Sequence, residues 1–109
     1  MKLEMKDYQD VAREQFIKYG SSMVFGELTE ENINHIVHVG ASVMMTRDKF
    51  LQGGSFVQAI VDNDLYGAVN RADNVMKRSL VFMTYLNSHI RAELEIESIK
   101  SPKFETVQG

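Results

Sequence analysis

The residues able to do chemistry are few and scattered. Glu31, His35 and His38 stand four and three apart, so on a helix they share one side, as a metal site requires. The zinc-protease pattern, a Glu between two His four apart, is missing, and structural or surface histidines are the simpler account of the spacing. Asp62, Asn63, Asp64 and Asp73 offer oxygen ligands. The alternating ligands, glycine and distant Glu of a calcium loop are lacking, and helix capping accounts for the cluster. No metal is assigned. Gly53-Gly54-Ser55 before a helix start resembles a minimal anion cradle, where free N–H groups and the helix dipole attract phosphate. No Lys-Ser/Thr follows it and no parallel strand precedes it, so turn chemistry is the simpler account. With no Cys and no nucleophile elbow around any Ser, no nucleophile is recognisable. The expectation is a protein that is not an enzyme and carries no cofactor.

The elements that must position these groups read as helices. The 109 residues suffice for one core, and 44% apolar with 25% charged residues is ordinary for a globular chain. Met5, Tyr8, Val11, Ala12, Phe16 and Tyr19 form one stripe of a helix over residues 4–19, with Gly20 as its stop. Residues 21–28 lack helical period. Thr29 caps the next helix, Glu30 and Glu31 suit its first turn, and Leu28 and Ile33 form a staple. That helix is expected over residues 30–51, with a close crossing at Gly40-Ala41-Ser42 and a stop at Gly53-Gly54. Ser55 and Gln58 fit a capping box for a short helix, ended by Asp62-Asn63-Asp64.

From Leu65 the stripe runs through Ala68, Val69, Ala72, Val75, Met76, Leu80, Met83, Leu86 and Ile90. It predicts one spine helix of about 25 residues or more. Gly67 is expected against the Gly53-Gly54 turn, and Arg71 is expected to clamp Asp62 or Asp64. Val81, Phe82 and Tyr85 make the spine apolar on more than one side, which one buried face does not need. The helix is expected to continue to about Glu97, followed by a frayed tail from Pro102. The fold class is therefore all-α: a single domain of about four helices over residues 1–97, with a tail over 98–109.

Net charge is −3, which disfavours a nucleic-acid surface and is too small for a mimic of DNA. Arg47, Lys49, Lys77 and Arg78 converge into a basic patch only if the two long helices pack antiparallel. No run of about 18 apolar residues predicts a membrane span, and Met1 to Asp10 does not read as a signal peptide.

Gly53-Gly54-Ser55-Phe56-Val57-Gln58-Ala59-Ile60, then Asn63-Asp64-Leu65, then Ala68-Val69 and Arg71-Ala72-Asp73, resembles a small family of uncharacterised proteins of bacteriophages and mobile elements. Phe82 to Asn87 looks like that family's aromatic helix. The likeness covers about a third of the chain and transfers no functional residue. It implies a phage origin and life in the cytoplasm of the host cell.

The leading expectation is an accessory protein that binds a host or phage protein through Val81, Phe82 and Tyr85, inhibiting a host defence or replication factor. A homodimer or higher homo-oligomer through the spine helix is linked to it. The alternative is an oligomeric binder of a nucleotide signal, using Gly53, Gly54, Ser55, Arg47 and Arg71. A third reading is weak nucleic-acid binding.

Overall fold

In a computed structural model, which describes residues 3–100, every regular element is a helix. In chain order they are α1 (Met5–Met23), α2 (Glu30–Arg47), α3 (Ser55–Val61), α4 (Leu65–Arg71), α5 (Asn74–Arg78), α6 (Leu80–His89) and α7 (Ala92–Lys100). The all-α expectation holds, with seven shorter helices in place of about four.

α2 is the hub, packing against α1, α3, α5 and α6. Its start follows the sequence: Thr29 Oγ1 accepts from Asn32 N, and Asn32 Oδ1 accepts from Thr29 N, which completes a capping box. The expected crossing at Gly40 is present. A Cβ there would stand 2.7 Å from a Leu86 methyl and 3.6 Å from Ala12 Cβ, so a glycine lets α6 and α1 close on α2. Ile36, Val37, Ala41, Val43 and Met44 are buried around it.

The ends of α1 and α2 and the start of α3 differ from expectation. α1 passes through Gly20, whose missing side chain is replaced by the Phe16 ring folded over it, and ends at Met23. Gly26 then takes a left-handed φ of 83°, straddled by Arg78 Nη1, which donates to the Phe25 and Glu27 carbonyls. α2 stops at Arg47, short of Leu51, because Asp48 leaves the helix for side-chain partners and Lys49 turns left-handed at φ 68°. Gly54, not Ser55, is the N-cap of α3, so the Ser55–Gln58 box does not form; Gln58 Nε2 donates instead to Asp62 Oδ1.

The expected spine is three helices. Asp64 caps α4 by accepting from Gly67 N, and Asp73 caps α5 by accepting from Met76 N. Ser79, fully buried, turns its hydroxyl back onto the Val75 carbonyl at 2.7 Å and separates α5 from α6. Gly67 sits beneath Asp64 and Arg71, not against the Gly53-Gly54 turn. Past α6 the chain is extended at Ile90, and the ambiguous stretch from Glu93 is helix α7, reaching Lys100 rather than Glu97. The expected tail beyond residue 100 lies outside the described residues. No helix among the described residues is long and apolar enough to cross a membrane.

α7 is tied to α1 by Lys100 Nζ, 3.1 Å from Asp7 Oδ1. The Glu4 N–H and then Lys100 hold the Asp7 carboxyl below the usual carboxylate range. A depressed folded pKa contributes stability above the unfolded value of about 3.9 and loses it as pH falls through the folded value. Thermal melts from pH 7 to 3 should therefore show a plateau above about pH 5 and a decline below it. Lys100→Met should shrink that decline.

Candidate functional site

α6 turns Phe82, Met83 and Leu86 into the core, all fully buried. At about 100° per residue its outer crest carries Val81, Thr84 and Ser88, while Tyr85 and His89 lie on the flank toward α1. The three residues expected to meet a partner are thus not equivalent. Val81 is 48% exposed and Tyr85 half-buried. Phe82 is a correction: its ring stands edge-on to Phe16 at 5.7 Å inside the core and presents nothing to a partner.

Around Tyr85 the chain builds an aromatic row. The Tyr19 ring of α1 meets it edge-on at 5.8 Å, and the His89 ring stacks on it at 5.8 Å with the planes 18° apart. Tyr85 Oη donates to Gln15 Oε1 at 2.8 Å, and Gln15 Nε2 donates to Glu95 Oε1 of α7 at 3.3 Å. Gln15 is buried, so groups from three helices hold Tyr85, the middle of the row, from behind. Burial first, then the neighbouring Tyr19 and Glu95, push the Tyr85 phenol up, keeping it a protonated donor at neutral pH. Tyr19 remains 44% exposed, and His89 and Val81 are exposed beside it. Tyr–His spacing of four in Tyr85 and His89 was readable from the chain. Tyr19 and Gln15 arrive from the far side of the fold, and Tyr19 reads by period as core.

A second polar constellation lies where α1, α2, α6 and α7 meet. Arg47 Nε and Nη2 bind both Asp48 carboxylate oxygens at 2.9 and 3.2 Å. Its Nη1 donates to the Leu86, Asn87 and Ile90 carbonyls at 3.0, 3.0 and 2.6 Å. These are carbonyls that the end of α6 leaves without helical partners. The hydroxyl of the fully buried Tyr8 donates to Asp48 Oδ2 at 3.0 Å. Burial first, and then Asp48, push the Tyr8 phenol far above its ordinary value. A cleft of about 540 Å³ opens beside this knot, with Phe50 and Arg91 on its wall.

The five residues of the nucleotide alternative are dispersed. Arg47 lines that cleft with its fork committed to protein groups. Ser55 and Arg71 line a separate cleft of about 230 Å³ with Asp62 and Asp64. A Cβ on Gly53 would meet Thr46 Oγ1 at 2.8 Å and a Val57 methyl at 2.6 Å, so Gly53 is packed between α2 and α3, whereas Gly54 has open space. The expected Arg71 clamp does not form: Arg71 folds over Gly67 beside Asp64 without an ion pair to either acid. The basic residues do not converge either, since Arg78 grips the loop before α2 and Arg47 the opposite end of α6. His35 Nε2 donates to Asp73 Oδ2 at 3.1 Å, while His38 Nδ1 lies 3.4 Å from Gln9 Nε2. Among the described residues no three His, Cys, Asp or Glu gather as metal ligands.

Fold and surface together define an all-α protein whose most organised exposed feature is an aromatic row on α1 and α6. No family model, curated protein or solved structure matches the chain.

Proposed function

We propose that this chain is a non-enzymatic accessory protein that binds a host or phage protein through the face formed by Tyr19, Val81, Tyr85 and His89. The observation that carries the reading is the Tyr19–Tyr85–His89 row, whose middle ring, Tyr85, is hydrogen-bonded to Gln15 and through it to Glu95, and which is open on its outer side. Aromatic side chains that are already ordered bury large area on binding at little entropic cost, and interface hot spots are enriched in them. The resemblance around Gly53 to Asp73 supplies the phage setting, a cytoplasmic life in the host cell, and inhibition of a defence or replication factor as the outcome.

The test is affinity capture from the lysate of a bacterial host. The unsubstituted chain retains a specific protein. Tyr19→Ser combined with Val81→Lys, both at exposed positions, reduces retention at least about tenfold, the loss expected for hot-spot truncation. Their melting temperature stays within a few degrees of the original. Equal retention by the double variant, or no specific protein retained by the original chain, contradicts the reading.

A further inference from the structure

We propose that the cleft beside the Arg47 knot binds a free aromatic amino acid, with its carboxylate at Arg91, its ammonium at Glu93 and its ring on Phe50. The cleft holds about 540 Å³, within the range of small-ligand sites. Its walls come from the turn after α2, the joint between α6 and α7, and Tyr8 of α1. Phe50 stands on that turn, 63% exposed, and its only ring contact among the described residues is edge-on to Tyr8 at 6.3 Å. The backbone of the joint is short of acceptors. In an unbroken helix the Leu86 and Asn87 carbonyls would accept from the Ile90 and Arg91 N–H groups. Arg47 Nη1 takes both carbonyls instead, and among the described residues neither N–H has an acceptor. Ile90 is only 5% exposed, and an unpaired N–H at so buried a residue is costly until an acceptor arrives.

Charge selects the ligand class. Arg47 binds both carboxylate oxygens of Asp48, so these two charges cancel within the wall. The ionic groups left over on the wall are Arg91 and Glu93, both exposed and in no ion pair among the described residues. His89, the other titratable group there, has its ring stacked on Tyr85. A purely anionic ligand, a nucleotide included, meets Glu93 with nothing to offer it, and a purely cationic one meets Arg91 in the same way. A zwitterion satisfies both signs. Its carboxylate matches the planar fork of Arg91, with the unpaired N–H groups of the joint as further donors. Its ammonium takes Glu93, and the Ser88 hydroxyl on the same wall is a further acceptor. The exposed Phe50 ring adds a preference for an aromatic side chain, because offset and edge-on ring pairs are favourable. For a ligand of about a dozen non-hydrogen atoms, a Kd on the order of 100 µM is expected.

Isothermal titration of the full chain near neutral pH with L-phenylalanine, L-alanine, L-phenylalaninamide, N-acetyl-L-phenylalanine and adenosine monophosphate tests the inference. L-Phenylalanine binds, and L-alanine, the amide and the N-acetyl derivative each bind at least about tenfold more weakly. Phe50→Ala, Arg91→Gln and Glu93→Gln, all at exposed positions, each raise the Kd for L-phenylalanine at least about tenfold. Their melting temperatures stay within a few degrees of the original. Arg91→Gln does not weaken the amide further, because the carboxylate that Arg91 would hold is already gone. Tyr19→Ser with Val81→Lys leaves the affinity unchanged, so partner capture and ligand binding are read separately. No binding of L-phenylalanine at millimolar concentration overturns the inference. So do equal affinity for the blocked derivatives, tighter binding of adenosine monophosphate, and an affinity indifferent to Phe50→Ala and Arg91→Gln.

Discussion

Arg47→Ala is expected to lower the melting temperature by about 10–20 °C, the equivalent of about 2–4 kcal/mol in a domain of this size. One guanidinium does three things at once. It neutralises Asp48, it satisfies three carbonyls where α6 ends, and through Asp48 it supports the Tyr8 hydroxyl. Removing it strands a carboxylate that is only partly in water, next to a buried phenol, and it exposes the end of α6 to fraying. Hydrogen bonds to charged groups contribute about 1.5–3 kcal/mol each, but these share one side chain and do not add. Arg47→Lys should recover less than half of the loss, because an ammonium cannot span Asp48 and the carbonyls together. Circular dichroism melts of Arg47→Ala, Asp48→Asn and the double variant should show coupling of about 1–3 kcal/mol. Additive losses would mean that the knot does not act as a unit.

Phe82→Ala should be at least as damaging, at about 3–5 kcal/mol, against a total stability of about 5–15 kcal/mol. Phe82 is fully buried, stands edge-on to Phe16 at 5.7 Å and lies 6.4 Å from Tyr85. Truncation removes a whole ring from the α1–α6 seam, and Tyr85 loses its backing. Val81→Ser, one residue earlier but on the outer crest, should stay within about 0.5 kcal/mol. Urea denaturation of the pair measures this directly, and similar midpoints for the two would contradict the assigned orientation of α6. A Phe82→Ser variant therefore reports on folding rather than on partner contact.

That pair shows where periodicity informs and where it stops. The stripe from Leu65 to Ile90 correctly picked out Ala68, Met76, Met83, Leu86 and Ile90 as core. It also counted Leu65 and Val69, which are exposed, and it could not see that the helix breaks at Ala72 and Ser79, because apolar positions recur on either side of each break. The signals for those breaks were local: Asp73, which caps, and Ser79, whose hydroxyl turns onto the backbone. The same stripe left Phe82, with Val81 and Tyr85, as surplus to one buried face; α1 packs on a second side of α6 and covers Phe82. Thr29 as a cap and Gly40 as a crossing were legible because each acts through its own backbone or immediate size. The Arg47–Asp48–Tyr8 knot joins residues about forty apart in sequence. Tyr19 joins the row only through the fold, and no spacing rule connects it to Tyr85.

The reading that this chain works by contact through its aromatic row is tested most directly by hydrogen–deuterium exchange on the complex with whatever protein affinity capture retains. New protection should concentrate in residues 15–19 and 81–89, with α2 and the cleft beside Arg47 unchanged. Protection confined to α2 or to the Arg47 cleft, with the row exchanging as in the free chain, would contradict it.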